Sequence, residues 1–168
     1  MFPSVGRIYV AATPQGICRI SLPSHPVEHF FKTVLEKHNP RIFIENNKLF
    51  DDLYIQFEEY LSGRRAVFSI PLVLRGTPFQ SEVWEALGQI PYGETRSYGE
   101  IARQIGRPKA VRAVGQANQV NPVPILIPCH RVIGSQGELV GYGGGISLKK
   151  QLLALEKKFR CIFFSTPL

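Results

Sequence analysis

Residues 6–12 and 16–22 are short β-rich segments on either side of the turn Thr13-Pro14-Gln15, a pattern that predicts a hairpin. Pro26 is placed to open a helix running to Lys37. Over residues 46–61, Leu49, Phe50, Leu53, Phe57, Tyr60 and Leu61 recur at helical spacing, Ile55 falls off that stripe, and Ser62-Gly63 stops the pattern. Residues 66–74 read as one more strand or an extended connector. Past Arg75-Gly76 the β signal fades, so the chain divides into residues 1–75 and 76–168.

The second part is a string of helices. Thr77-Pro78 is an N-cap followed by proline at the first helical position, and Phe79, Val83, Trp84 and Leu87 form the apolar stripe behind it. Pro91-Tyr92-Gly93-Glu94 is a turn. Ser97 caps a helix that reaches Ile105, and Glu100 three residues on completes a capping box. Gly106-Arg107-Pro108 turns the chain into a second short helix over 109–119, making a helix-turn-helix candidate. The expected fold is an α/β N-terminal domain, a small antiparallel sheet with helices, followed by a mostly α C-terminal winged-helix/helix-turn-helix domain.

Composition narrows the class. The 168 residues are 44% hydrophobic and 20% charged, an ordinary globular balance. No apolar stretch approaches the roughly 18–20 residues of a membrane span, and the N-terminus lacks a basic start followed by an apolar run. Cys18, Cys129 and Cys161 form no C-x-x-C pair, which suits a reducing, cytoplasmic setting. Of the +7 net charge, residues 1–75 hold +2 and residues 76–168 hold +5. No acidic residue occurs over 101–137, where Arg103, Arg107, Lys109, Arg112 and Arg131 fall, so that stretch suits a polyanion as well as it suits a solvated basic face.

In the second short helix, Val111 and Val114 are placed to face the core. Ala110, Ala113 and Ala117 mark another face, with Arg112 near it. A helix about 10–12 Å across meets a minor groove only about 6 Å wide, so a helix entering that groove must shed side-chain bulk. Close helix packing through alanines accounts for the same residues.

The segment Asn121-Pro122-Val123-Pro124-Ile125-Leu126-Ile127-Pro128-Cys129-His130-Arg131-Val132 concentrates the chemistry. Its prolines exclude a helix and predict extended geometry carrying Cys129 and His130 out of the core. On an extended strand the two side chains point to opposite faces, so a bridging water would join them. A cysteine nucleophile needs a base or a nearby positive charge to be held ionised. In the helix expected over 147–159, Leu148, Leu152, Leu155 and Phe159 mark the buried stripe, and Glu156 falls on it. A glutamate there commonly marks only the edge of the apolar face, whereas a buried one needs a partner, which His130 could supply. Gly141-Tyr142-Gly143-Gly144-Gly145 can bring backbone N–H groups close to a ligand, or be a plain flexible loop. Cys129 as a small buried hydrophobe remains the alternative.

Together these residues resemble the O6-alkylguanine-DNA alkyltransferases. The match is clearest over 77–158: Phe79-Gln80, Val83-Trp84, Ser97-Tyr98, Lys109-Ala110-x-Arg112-Ala113-Val114-Gly115, the Pro-Cys-His-Arg segment with its flanks, and Tyr142-x-Gly144-Gly145. Residues 1–75 match only in outline. The resemblance implies irreversible transfer of the alkyl group of O6-alkylguanine, and of O4-alkylthymine, to Cys129, once per molecule. The base would be flipped from the minor groove of double-stranded DNA. His130, through water, and Glu156 would complete a relay. Asn121 would brace the turn before the active segment, and Tyr98 would turn the target phosphate and polarise the base. Arg112 would replace the flipped nucleotide, with Ala110, Ala113 and Gly115 on the DNA-facing helix. Val132, Tyr142 and the Gly143 backbone would line the guanine pocket. A monomer with no cofactor and no membrane partner is expected. Some members hold zinc through two cysteines and two histidines. Here Cys18, His25 and His29 cluster and His38 is distant, so no metal is expected. Two rival readings stay open: a winged-helix DNA-binding protein whose Cys129 is structural or redox-sensing, and a cysteine hydrolase that turns over repeatedly.

Overall fold

The computed structural model describes residues 7–23, 26–40 and 48–164. Strands β1 (Tyr9–Thr13) and β2 (Gly16–Ser21) pair antiparallel, with a register shift between Ala11 and Ala12. Helices α1 (Val27–His38) and α2 (Lys48–Leu61) follow. Pro26 occupies the N-cap of α1, as its fixed φ favours. In α2 the buried face is Leu53, Gln56, Phe57 and Tyr60, whereas Ile55 is exposed. The expected start of α2 at Asn46, the start of the first strand at Gly6, and His25 lie outside the described residues.

Residues 66–74 are a connector rather than a full strand. Only Leu72 bridges to Ile17, with Ile17 N–H donating to the Pro71 carbonyl at 2.9 Å and Val73 N–H to the Ile17 carbonyl at 2.9 Å. The chain comes so close there that a side chain at Gly16 would run into the Pro71 carbonyl.

The second part comprises α3 (Pro78–Gly88), β3 (Arg96–Ser97), α4 (Tyr98–Gln104), α5 (Val111–Gln119), β4 (Val132–Ile133) and α6 (Gly145–Phe164). The expected capping box of Ser97 with Glu100 forms, and the Thr77 N-cap proves to be a second one, with Gln80. Each satisfies two N–H groups that a helix start leaves without partners. Helix α5 packs against α3 and α4, pinned by Trp84 Nε1–H donating to the Ala117 carbonyl at 2.9 Å. Strands β3 and β4 form a two-residue parallel ladder. Helix α6 starts two residues before the expected 147 and continues past 159.

One apolar core runs through both parts, joining Ile17, Ile20, Leu53 and Phe57 to Val83, Trp84, Ile101, Val114, Leu152 and Leu155. At the seam, Ile20 N–H donates to the Pro122 carbonyl at 2.8 Å. The N-terminal hairpin is thereby fastened to the segment that carries Cys129.

Candidate active site

The segment from Asn121 to Pro128 is folded back on itself, not extended. Pro124 and Ile127 form a bridge, Ile127 N–H donates to the Val123 carbonyl at 3.0 Å, and Ile125 sits at φ 77°. A β-branched residue rarely takes that left-handed conformation, so the surroundings must impose it. Asn121 closes the loop from both sides: its Nδ2 donates to the Ile127 carbonyl at 2.8 Å and its Oδ1 accepts from Val123 N–H at 3.1 Å.

A 3-10 turn over Cys129–Arg131 follows. Cys129 is 4% exposed and His130 is fully buried, so neither is carried out of the core. The strand argument for side chains on opposite faces therefore falls away. Prolines forbid the α-helix, but they equally permit the tight turn that Asn121 locks in place.

Behind the cysteine lies a buried polar cluster centred on Glu156. His130 Nε2 lies 2.9 Å from Glu156 Oε1, the pairing expected from the helical spacing. The carboxylate has more partners than expected. Arg131 Nε reaches Oε2 at 2.9 Å and its Nη2 reaches Oε1 at 2.9 Å. The Tyr60 hydroxyl donates to Oε1 at 2.6 Å, and Gly93 N–H to Oε2 at 3.1 Å. Burial alone would raise the Glu156 carboxyl, but His130 and Arg131 together hold it well below the usual carboxylate range. An ionised carboxylate only accepts hydrogen bonds, so the His130 proton must sit on Nε2. Its Nδ1 is then a buried acceptor, and it has no partner among the described residues. Burial keeps the imidazole pKa below its ordinary value against the opposing pull of Glu156, so the ring rests neutral.

Burial likewise pushes the Cys129 thiol up to about 11, opposed by the Asn121 amide and the Lys149 ammonium. The sulfur is therefore not held ionised at rest, contrary to the sequence expectation. Any use of it as a nucleophile would need a base. Lys149 was not among the expected site residues. Fully buried on α6, it donates from Nζ to the Val132 carbonyl at 2.6 Å and the Val140 carbonyl at 2.8 Å. Spacing could have found it, because Lys149, Leu152 and Glu156 recur on one helical face. Arg131 and Tyr60 could also have been sought, since a carboxylate on an apolar stripe demands charged and hydrogen-bonding partners.

Cys129, Asn121, Pro124, Tyr142 and Gly143 line one cleft of about 460 Å³, within the usual size of a small-molecule pocket. Tyr142 has a buried hydroxyl without a partner among the described residues, and its ring stands edge-on to His130 at 6.4 Å. Burial, then Cys129 and Glu156, push its phenol well above the ordinary value. Val132 is fully buried beside the cysteine turn. Tyr98, the first residue of α4, bridges the site to α5. A Cβ on Gly115 would lie 3.9 Å from its ring, and one on Gly141 3.8 Å from its hydroxyl. Burial, then Cys129, raise its phenol too.

On α5 two expectations change. The helix begins at Val111 with Ala110 as its N-cap, and Val111 is 39% exposed while Ala117 is 2% exposed and faces the core with Val114. The helix starts two residues later than expected, and its packing against α3 and α4 sets which face is buried. The outward surface keeps Arg112 exposed and Ala110, Ala113 and Gly115 half-buried. Arg112 makes no ion pair among the described residues. Among those residues, no group of three or more His, Cys, Asp or Glu side chains could hold a metal ion, and no helix is long and apolar enough to cross a membrane.

Two family models match the chain: 6-O-methylguanine DNA methyltransferase, ribonuclease-like domain, over residues 1–74, and 6-O-methylguanine DNA methyltransferase, DNA binding domain, over residues 78–158. The inducible methylated-DNA–protein-cysteine methyltransferase of Bacillus subtilis is 42% identical over 152 residues, spanning 90% of this chain and 85% of that protein. Its counterpart in Methanosarcina barkeri is 46% identical over 153 residues, 91% of this chain and 92% of that one. Among solved structures, Mycobacterium tuberculosis OGT in complex with DNA superposes with a TM-score of 0.79 at 43% identity, covering 95% of this chain and 91% of that chain.

Proposed function

Because the chain belongs to the 6-O-methylguanine DNA methyltransferase family, we propose that Cys129 is the residue that accepts the alkyl group from O6-alkylguanine in double-stranded DNA. The chain is an enzyme of the methylated-DNA–protein-cysteine methyltransferase class, and its activity is DNA repair by alkyl transfer. One observation carries the assignment. The Cys129 thiol lines a cleft while a neutral imidazole, fixed by an ionised carboxylate, is buried in the next residue.

The chemistry follows from that arrangement. His130 Nδ1, through a water, takes the thiol proton, and Glu156 stabilises the imidazolium that forms. The sulfur attacks the alkyl carbon in line, the S–C bond forms, and the C–O6 bond breaks. The electron pair passes to the guanine, which gains a proton, with Tyr98 donating a hydrogen bond to the developing charge. Lys149 opposes the burial penalty on the thiolate. The products are S-alkylcysteine and unmodified guanine. A thioether has no easy leaving group, so each molecule reacts once. The O6 substituent lies within the duplex, so the nucleotide must be extruded into the cleft lined by Tyr142, Val132 and the Gly143 backbone. Arg112 fills the vacated stack while Ala110, Ala113 and Gly115 keep that face of α5 thin. O4-alkylthymine is a second substrate on the same logic. Residues 76–168 carry this machinery, and residues 1–75 brace it through Tyr60. The protein acts as a monomer in the cytoplasm, where its three cysteines stay free.

Incubation with an O6-methylguanine duplex, followed by intact mass and peptide mapping, should find one methyl group on Cys129 and never a second. An unmodified protein that still binds DNA would select the winged-helix reading, and repeated turnover would select a hydrolase. Arg112→Ala should slow repair of the duplex by about 10-fold, the order of an extrusion cost of a few kcal/mol partly lost. Reaction with the free base O6-benzylguanine should be unchanged, and equal losses on both substrates would remove the extrusion role.

A further inference from the structure

The cleft that holds Cys129 does not end there. It continues between α1, β2 and the C-terminal end of α5, where Arg19, Lys37, His38 and Arg75 line it. No carboxylate is among its described lining residues. From this juxtaposition, a reactive cysteine at one end of a cleft and unopposed cations at the other, we propose that this arm binds an oxyanion carried by the alkylated strand, foremost a backbone phosphate. The proposal rests on the alkyl-transfer reading above and adds to it a second DNA contact, made by the N-terminal part.

Three features separate the arm from a solvated basic face. Arg19 is half-buried and forms no ion pair among the described residues. Its pKa is lowered by burial. The cations also crowd one another: Arg75 donates from Nη1 to the Lys37 carbonyl at 2.8 Å. Burial first, then Arg75, Arg19 and Lys37, push His38 below its ordinary pKa. Glu36, the acid nearest Lys37 in sequence, faces Lys32 on α1 instead, at 4.0 Å. Last, polar groups there lack partners among the described residues. His38 Nδ1 and the amide oxygen of Asn118, itself 3% exposed, are both buried without one. A cluster of like charges that excludes carboxylates is stabilised when an anion arrives. The two sources of such an oxyanion on this strand are a phosphate and a carboxylate ending a long O6 substituent.

The test uses the full chain with Arg75→Gln and Lys37→Gln, both exposed positions that leave the core intact, checked by thermal melting. Binding of Cys129→Ala and its double variants to an O6-methylguanine duplex is measured against salt, and single-turnover rates in the Cys129 background are followed by mass. If the arm holds a phosphate, each substitution lowers the slope of log K against log salt by about 1. Reaction with free O6-benzylguanine is then unchanged. If it holds a substituent's carboxylate, the slope stays and repair of an O6-carboxymethylguanine duplex falls several-fold relative to O6-methylguanine. Unchanged slopes together with an unchanged ratio of the two adducts overturn the proposal. A wild-type protein that forms no Cys129 adduct on any substrate instead overturns the alkyl-transfer reading, and the salt slopes still report on the arm.

Discussion

Cys129→Ala is expected to abolish alkyl transfer altogether while leaving DNA binding within a few-fold of wild type. The sulfur is the only atom of that side chain that can form the new bond, and no other cysteine shares the cleft with it except Cys18, on the hairpin. Burial raises Cys18 as well, and Arg75 and Arg19 only partly oppose that rise. The variant should also change the alkaline stability of the protein. The Cys129 thiol stands at about 11 against an ordinary value of 9.0. Its folded pKa is raised, so the stability it contributes is complete below pH 9 and is lost as pH rises through 11. Two pKa units correspond to about 3 kcal/mol. Urea denaturation between pH 8 and 11 should show the wild type losing more stability than Cys129→Ala, by that order. Parallel curves would mean that the thiol is not desolvated, and residual methylation of the variant would mean that another residue accepts the group.

Disturbing the Glu156 cluster should have the next largest effect, and the two sides of the ion pair should fail differently. Arg131→Ala leaves an ionised carboxylate buried without its bidentate partner, which costs about 3–5 kcal/mol. That is a large share of the roughly 5–15 kcal/mol that holds a domain folded. Glu156→Gln in turn leaves the buried Arg131 guanidinium without its anion, so it also destabilises the fold, and it withdraws the anion that would stabilise protonated His130. Alkyl transfer at pH 7 should then fall about 100-fold, at the low end of what a positioned base contributes. The loss should shrink toward pH 10, where hydroxide ionises the thiol without His130. A purely structural role for Glu156 would slow the reaction equally at every pH. The sign is opposite on the acid side. The folded pKa of Glu156 is depressed, so its stabilisation is present above pH 4.5 and is lost as pH falls below it. Acid unfolding followed by Trp84 fluorescence should be less steep in Glu156→Gln than in wild type.

Much of the scaffold was legible because it rests on local rules. The N-cap at Thr77, the capping box at Ser97, the hairpin around Thr13-Pro14-Gln15 and the apolar stripe of α2 depend on residues a few positions apart. The spacing of Glu156 from Leu152 pointed to a buried carboxylate, and His130 was its expected partner. The misreadings arose where distant segments compete. Prolines at 122, 124 and 128 suggested a strand, yet Asn121 bonds both ends of the segment and closes it into a loop. The rotation that exposes Val111 and buries Ala117 is set by the packing of α3 and α4 on α5, beyond any periodicity within the helix.

Residue order alone determined the helix-turn-helix pattern, the Pro-Cys-His-Arg segment and the kinship these carry, since each is a matter of identity and spacing along the chain. Tertiary structure decided the state of the chemistry. It sank the thiol until burial held it protonated, and it brought Tyr60 and Gly93 across long sequence distances to Glu156. It also buried Lys149 against the Val132 carbonyl and gave the cleft that holds Cys129 a cationic arm. The physical reason is that pKa, charge pairing and cavity shape depend on which groups exclude water together, and that is a property of the packed chain.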